Sequence, residues 1–120
     1  MHQWMVDVKI MCRQHLIGEY REHFTIVGAL RKKKRMNGFV DHNCLELSKL
    51  QERFDELKAE MLRRGHKPVK QFEVPDTSYL SETIRNAKVD REASLQDLLN
   101  RCEHCRKRFL EINKLAIYNL

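Results

Sequence analysis

Residues 47–65, LSKLQERFDELKAEMLRRG, carry the clearest structural pattern in the chain. Their large apolar side chains recur at alternating steps of three and four residues: Leu47, Leu50, Phe54, Leu57 and Met61. That spacing puts them on one face of an α-helix, and the charged residues between them, Arg53 and Glu60 included, are predicted to form the solvated face. Gly65 follows the last apolar position and predicts the end of the helix.

Two other segments have the same periodicity. One spans residues 16–30, and Asp7 is a candidate N-cap upstream of it. The other spans about residues 92–109, with Asp90 as its N-cap. Three main helices are therefore predicted, one near each end of the chain and one in the middle.

Residues 67–88 lie between the second and third helices and hold both prolines. They predict a loop with one helical turn around residues 79–84. No segment alternates apolar and polar residues as a half-buried strand does. A chain of 120 residues is the size of one compact domain. We therefore predict an all-α fold in which residues 1–120 form a single domain of three main helices joined by long loops.

Charge and composition narrow the class of partner. The 23 Lys and Arg residues exceed the 17 Asp and Glu residues, which leaves a net charge of +6. That excess favours a polyanion, with nucleic acid first and an acidic lipid surface second. The longest apolar run, about residues 26–30, is far shorter than the roughly 20 residues of a membrane span. The first residues lack a signal-peptide pattern, so we expect a cytoplasmic protein with reduced cysteines.

Cations cluster in each predicted helix. Residues 31–35, RKKKR, close the first helix, and Arg63 and Arg64 close the second. The third helix carries Arg101, Arg106, Lys107 and Arg108 along its length. The helix dipole favours cations at C-termini, but it accounts for two or three residues and not for a run of five. We infer one continuous surface that follows a phosphate backbone with little sequence preference.

Several short blocks resemble one family when they are taken in order. They are QHL at 14–16, EYRE at 19–22, GALRK at 28–32, LKAEMLRRG at 57–65, EASL at 92–95 and AIY at 116–118. This ordered series resembles the phage-type pyrimidine-dimer DNA glycosylases, the endonuclease family that repairs ultraviolet photoproducts. The resemblance implies an all-helical domain whose N-terminal segment threads between helices and brings the terminal amine beside a helix-borne glutamate.

The resemblance also implies the chemistry, a glycosylase with an associated abasic-site lyase activity. The α-amine would attack C1′ of the damaged nucleotide, the base would leave, and an imine would link protein to DNA before β-elimination cuts the strand. Glu22 matches the family's catalytic carboxylate, which stabilises charge at the sugar and moves protons. Free α-amino groups in general titrate at roughly 7.7–8.0, so a useful fraction is nucleophilic at neutral pH.

The amine concerned is predicted to be that of Met1. Counting back without gaps from residues 14–16 puts Met1 at the family's nucleophilic position. In the family, the initiator methionine is removed to expose a small residue. Here residue 2 is His2, whose bulk normally prevents that trimming, so we expect Met1 to be retained.

The residues predicted to contact DNA are His2, Gln14, His15, Arg21, Arg31 and Lys32. Within the resemblance, Gln14, His15 and Arg21 match positions that hold the DNA backbone and the distorted site, and Arg31 matches a phosphate ligand. The expected partner is double-stranded DNA that contains damaged pyrimidines, namely cyclobutane dimers. We expect a monomer that uses no cofactor and binds no membrane.

Departures from the family pattern leave the lesion open. The link at residues 36–43 is short, Thr25 stands where the family has a basic residue, and the aromatic C-terminal patch is reduced to Phe109 and Tyr118. Excision of another damaged base, such as a ring-opened purine, is one alternative. A non-catalytic basic DNA-binding module of the same fold is another, although such a module has no reason to keep a free N-terminus beside Glu22.

Cys102 and Cys105 have the C-x-x-C spacing of half a metal site. Two thiol–imidazole pairs could complete it: Cys12 with His15, and Cys44 with His42. The sequence contains no second C-x-x-C, and on a helix the two thiols would turn partly inward as small apolar groups. We interpret them as buried reduced cysteines and predict no metal.

Overall fold

In the computed structural model, which describes residues 1–118 and their side chains through residue 114, helices occupy all three segments that were predicted to be helical. The helices are α1 (Arg13–Arg31), α2 (Asn37–Asp41), α3 (Leu50–Arg63), α4 (Glu82–Arg85), α5 (Arg91–Arg101) and α6 (Glu103–Tyr118). Single 3-10 turns at Val8–Ile10 and Leu47–Lys49 precede α1 and α3. Residues 1–118 contain no strand, which confirms the all-α prediction. The side chain of Tyr118, part of the reduced aromatic patch, lies outside the described range.

α1 and α3 pack against each other at the centre of the molecule. Tyr20 of α1 stacks on Phe54 of α3 with ring centroids 5.2 Å apart, and Phe72 from the loop after α3 stacks on the same Phe54 ring at 4.1 Å. Phe72 contacts both buried apolar clusters, one around Leu57 and the other around Leu30. The long loop is therefore held in place by an aromatic side chain that enters the core.

The start of the first helix differs from the prediction. Asp7 does not cap α1: its carboxylate accepts the main-chain N–H of Lys9 at 2.9 Å and caps the 3-10 turn Val8–Ile10 instead. α1 begins only at Arg13, after Cys12 at the N-cap position. Asp side chains readily accept a hydrogen bond from the backbone N–H two residues further along the chain. Asp7 makes this local bond and does not cap α1.

The third predicted helix is divided in two. Asp90 is its N-cap as predicted, because its side chain accepts the N–H of Ala93 at 3.0 Å. At Cys102, however, the backbone is extended, with φ −121° and ψ 108°, and this separates α5 from α6. The predicted turn at residues 79–84 is found in part as α4, and the link at residues 36–43 contains α2.

The N-terminal segment runs through the interior, as the resemblance implied. Trp4, Met5 and Val6 are buried, and the carbonyl of Trp4 accepts the hydroxyl of Ser94 on α5 at 2.5 Å. The segment therefore lies against α5 on one side while it bonds to α1 on the other. Its first residue, Met1, packs against the apolar cluster around Leu30.

Candidate functional site

A buried ion pair between Glu19 of α1 and Arg53 of α3 holds the N-terminal segment. The Arg53 guanidinium donates from Nε to Oε2 of Glu19 at 2.6 Å and from Nη2 to Oε1 at 3.0 Å. The same carboxylate accepts the main-chain N–H of Trp4 at 3.0 Å, and Arg53 Nη1 donates to the carbonyl of Val6 at 2.7 Å. Each of the two charged residues is only 2% exposed. The pair thus bonds directly to the backbone of the segment and fixes its course.

A second buried network fixes Gln3. Its side-chain oxygen accepts the main-chain N–H of Glu46 at 2.7 Å, and its side-chain nitrogen lies 3.4 Å from Nε2 of His23. The other ring nitrogen of His23, Nδ1, bonds to the carbonyl of Glu19 at 2.9 Å. Because a carbonyl only accepts, Nδ1 carries the hydrogen and Nε2 accepts from Gln3. Burial lowers the pKa of His23, which keeps the ring neutral as this pattern requires.

The amine of Met1 lies beside the carboxylate of Glu22. Its nitrogen is 3.8 Å from Oε2 of Glu22. Two residues along, the main-chain N–H of Gln3 donates to the carbonyl of Cys44 at 2.7 Å, which anchors the chain close to the amine. The Glu22 side chain is 39% exposed, while that of Met1 is only 10% exposed. The Met1 nitrogen therefore lies next to the Glu22 carboxylate at a place where a ligand can reach that carboxylate.

Glu22 lines a cavity of about 350 Å³ between α1 and the N-terminal segment, called here the Glu22 cavity. Its lining residues are His2, Trp4, Gln14, His15, Gly18, Glu19 and Glu22. The His2 ring stacks on Trp4 at 4.0 Å, and Trp4 meets His15 edge-on at 5.8 Å. Three of the predicted DNA-contact residues, His2, Gln14 and His15, thus share one cavity with the predicted catalytic carboxylate.

The two histidines of this cavity carry little charge. Burial lowers the pKa of His2, although the negative charges of Glu19 and Asp97 oppose the shift, and burial also lowers the pKa of His15. Both rings are therefore mostly neutral at neutral pH and offer hydrogen bonds rather than positive charge. The cationic side chains that could bind a phosphate lie outside this cavity.

Such cations surround a second cavity of about 340 Å³, called here the Met1 cavity. Its lining residues are Met1, Thr25, Gly28, Ala29, Lys32, Lys34, Arg35 and Phe39. Lys33 adopts the left-handed backbone, with φ +54°, and the N–H of Lys34 then bonds to the carbonyl of Ala29 at 3.0 Å. This turn after α1 brings Lys34 and Arg35 back beside Met1.

The structure separates the remaining predicted DNA contacts. Gln14, Arg21 and Lys32 are seven and eleven residues apart, which puts them along one strip that runs from the Glu22 cavity at Gln14 to the Met1 cavity at Lys32, just after α1. Arg31 is nine residues beyond Glu22, or about two and a half turns, and so faces the opposite side of α1. There it lines a separate hollow with Pro75 and Tyr79.

A cluster of metal-ligating side chains lies at the other end of α1. The structure brings the C-x-x-C pair, Cys102 and Cys105, together with Cys12 and His15, one of the two pairs that the sequence offered. Their ligand atoms all lie within 4.8 Å of one another. Burial raises the pKa of the Cys105 thiol to about 12, so this thiol keeps its proton at neutral pH unless a cation replaces it.

Sequence reasoning missed several buried polar residues. Arg53 and Glu60, predicted to lie on the solvated face of the second helix, are 2% and 4% exposed, so that prediction was wrong for both. They lie seven residues apart at the edge of the apolar stripe, and each is paired with an opposite charge. That edge position was the only signal available in the sequence. No pattern in the neighbouring sequence indicated that Gln3 or His23 would be buried.

In the part of the chain that the structure describes, every helix is too short or too polar to cross a bilayer. Residues 1–74 match the family model described as pyrimidine dimer DNA glycosylase, which covers more than half of the chain. The matched part contains α1 to α3 together with both cavities. Curated proteins and solved structures gave no significant match.

Proposed function

We propose that this chain, which belongs to the pyrimidine dimer DNA glycosylase family, excises damaged pyrimidines from double-stranded DNA with the Met1 α-amine as nucleophile and Glu22 as catalytic carboxylate. The proposed lesion is the cyclobutane pyrimidine dimer. One observation carries the proposal: the Met1 nitrogen and Oε2 of Glu22 are 3.8 Å apart, beside a cavity open to a ligand. We further propose that residues 1–120 act as a single-domain monomer.

In the proposed reaction the lone pair of the amine forms a bond to C1′ of the damaged nucleotide. The bond from C1′ to the base breaks, and its electron pair leaves with the base. Ring opening then breaks the C1′–O4′ bond and leaves an imine between Met1 and the sugar. Loss of a proton from C2′ breaks the C3′–O bond, which is the lyase step. Glu22 can take the proton that the nitrogen loses and return it to O4′, because its carboxylate lies beside the amine.

The nucleotide has to leave the helix before the amine can reach it. C1′ of a stacked nucleotide is shielded, so glycosylases bend the duplex and displace the target. A crosslinked dimer stacks poorly, which lowers the cost of this step and contributes selectivity. We assign the displaced nucleotide to the Glu22 cavity, where His2, Gln14 and His15 offer hydrogen-bonding groups to sugar and phosphate.

The proposed DNA backbone follows the cationic side of α1. Arg21 lies on the strip beside the Glu22 cavity, and Lys32, Lys34 and Arg35 line the Met1 cavity. These four exposed cations can neutralise successive phosphates on either side of the amine. Arg31 stays a predicted phosphate contact, but on its side of α1 it would meet only DNA that bends around the end of the helix.

A different damaged base is the second candidate, and Thr25 favours it. This exposed residue lines the Met1 cavity at a position where the resembled family has a basic residue. Loss of a charge there changes the groups that contact the lesion but leaves the amine and the carboxylate in place. A ring-opened purine is the substrate to compare with the dimer.

Borohydride trapping tests the proposal, because it reduces the imine to a stable covalent link. Ultraviolet-irradiated duplex DNA, the same duplex before irradiation and a duplex with one ring-opened purine are incubated with the full chain and borohydride. We expect a crosslinked complex with the irradiated duplex and only background with the undamaged one. A complex with the purine lesion alone would favour the second candidate. If neither lesion gave more trapped complex than undamaged DNA, the chain would be better described as a non-catalytic DNA-binding module.

A further inference from the structure

Four metal-ligating side chains from distant parts of the chain meet at the start of α1. Cys12 is the N-cap residue of α1, and His15 lies in the first turn. Cys102 is the residue between α5 and α6, and Cys105 lies in the first turn of α6. The two thiols Cys12 and Cys102 are 90 residues apart in sequence. Each half of the cluster is a pair with two intervening residues, C-x-x-H and C-x-x-C.

The distances between these ligand atoms suit one tetrahedral ion. Sγ of Cys12 is 3.8 Å from Sγ of Cys102 and 3.2 Å from Nδ1 of His15, and Sγ of Cys105 is 3.7 Å from the same nitrogen. Zinc binds thiolate sulfur at about 2.3 Å and imidazole nitrogen at about 2.0 Å, so tetrahedral ligands lie roughly 3.5–3.8 Å apart. Small shifts of side chains are enough to place all four atoms around a common centre.

Main-chain groups support the sulfurs as charged ligands. The N–H of Cys12 points at Sγ of Cys105 at 3.2 Å, and the N–H of Cys105 points at Sγ of Cys102 at 3.4 Å. Hydrogen bonds of this kind stabilise a thiolate and orient it toward a metal. Cys105 is fully buried, Cys12 and Cys102 are 7% and 8% exposed, and His15 is half-buried at the edge of the Glu22 cavity. A complete set of four protein ligands is typical of a structural and not a catalytic zinc site.

We propose that Cys12, His15, Cys102 and Cys105 bind one structural zinc ion, which fastens the start of α1 to the junction of α5 and α6. Cys102 and Cys105 are buried and free, as the sequence predicted, but the proposal replaces our prediction that they bind no metal, since the structure supplies the missing half of the site. The ion would join a segment inside the family match, residues 1–74, to one outside it. It would also hold His15 through Nδ1, which leaves Nε2–H of the same ring able to donate to DNA.

Metal analysis of the full chain tests the proposal. The chain is reduced, loaded with zinc alone and dialysed against metal-free buffer, and its zinc content is then measured. We expect one zinc ion per chain and a Tm several degrees lower after removal by a strong chelator. Cys102→Ser and Cys105→Ser are expected to weaken zinc affinity at least about 100-fold, because loss of a group that merely orients a ligand already costs about 10–100-fold. Cys44→Ser and His104→Asn are the matched controls, because they alter a thiol and an imidazole outside the cluster. Both variants should keep the zinc affinity of the wild type.

Cobalt replacement tests the ligand set in the unmutated chain. The proposal therefore stays testable even if the serine variants fail to fold. The chain loaded with cobalt alone should show a sulfur-to-cobalt charge-transfer band and the intense visible absorption of a tetrahedral ion. No retained zinc in the reduced chain, full retention by both serine variants, or a cobalt spectrum without charge transfer would each overturn the proposal. A disulfide between Cys12 and Cys102 that forms despite excess zinc would overturn it too.

Discussion

Glu19 receives two hydrogen bonds from the guanidinium of Arg53 and a third from the main-chain N–H of Trp4. A buried ion pair loses the hydration of both charges, so its net contribution to stability is small while it is intact. Here the pair also bonds to the segment that ends at Met1, three residues upstream of Trp4. We infer that its main effect is to hold that segment, and with it the amine, in one position.

Removal of one partner of this pair should damage both stability and chemistry. Arg53→Met leaves the Glu19 charge buried and unpaired, so we expect the free energy of unfolding to fall by about 3–5 kcal/mol. Urea denaturation measures that loss. The double variant Glu19→Gln, Arg53→Met should be much less destabilised than the sum of the single changes, because neither charge is then left alone. Additive losses would contradict the coupling.

Glu22→Gln should abolish base release while the fold and DNA affinity are kept. The amide has nearly the same shape as the carboxylate but can neither take protons nor stabilise positive charge at the sugar. We expect single-turnover base release to fall at least about 100-fold, with Kd for damaged duplex within a few-fold of wild type. Glu73→Gln, at an exposed glutamate away from the site, is the control. Normal turnover by Glu22→Gln would remove this residue from the mechanism.

An added residue before Met1 should abolish borohydride trapping. The extension converts the α-amine into an amide, which is not nucleophilic, and moves the new amine away from Glu22. DNA binding should change little, because the cations of α1 are untouched. Intact mass is expected to show Met1 retained in the unextended protein. As the control, proteolytic removal of the extension to regenerate Met1 should restore trapping. Full activity with the extension in place would rule out the amine mechanism.

The cations of α1 should differ in their effect on DNA binding. Arg21 lies on the strip that borders the Glu22 cavity, whereas Arg31 faces the opposite side of the helix. Arg21→Ala should weaken binding to every duplex and reduce the slope of log K against log salt by about 0.9, the share of one phosphate contact. Arg31→Ala is the matched comparison, and we expect a smaller change in slope. Equal losses would mean that the DNA contacts both sides of α1.

Glu60 predicts how stability responds to acid. Hydrogen bonds from Arg63 and Arg64 outweigh the effect of burial and lower the pKa of Glu60 from 4.5 to about 2. A carboxylate with a lowered pKa stabilises the fold above its unfolded pKa, and this contribution is lost as the pH falls toward the folded value. The fall from 4.5 to about 2 corresponds to about 3 kcal/mol. Solvent screens the exposed Arg63, so we expect about 2 kcal/mol of this stability above pH 5 and its loss between about pH 4.5 and 2.

The measurement is the free energy of unfolding in urea across that pH range. Glu60→Gln should be less stable than wild type near neutral pH, and the difference should shrink as the pH falls. Glu73→Gln, which changes an exposed carboxylate, should follow wild type throughout. A constant gap between Glu60→Gln and wild type would mean that the ionised carboxylate is not the source of the stability.

The sequence by itself determined the features that depend on neighbours along the chain. The repeat of Leu50, Phe54 and Leu57 identified α3, because helical geometry puts such residues on one face whatever surrounds them. Asp90 was identified as a cap because it bonds to an amide only three residues ahead. Glu22 was predicted as the catalytic carboxylate from its position in an ordered series of short blocks, which needs no knowledge of the fold.

Only the tertiary structure decided which distant groups meet. Arg53 and Glu19 are 34 residues apart and belong to different helices, so no local pattern distinguishes this pair from solvated charges. The Cys12–His15 pair meets Cys102 and Cys105 at the point where the extended backbone of Cys102 separates helix α5 from helix α6. The placement of the Met1 amine beside Glu22 likewise depends on bonds from α1, α3 and α5 to the N-terminal segment. Such contacts arise from packing in three dimensions, where sequence separation no longer limits which side chains interact.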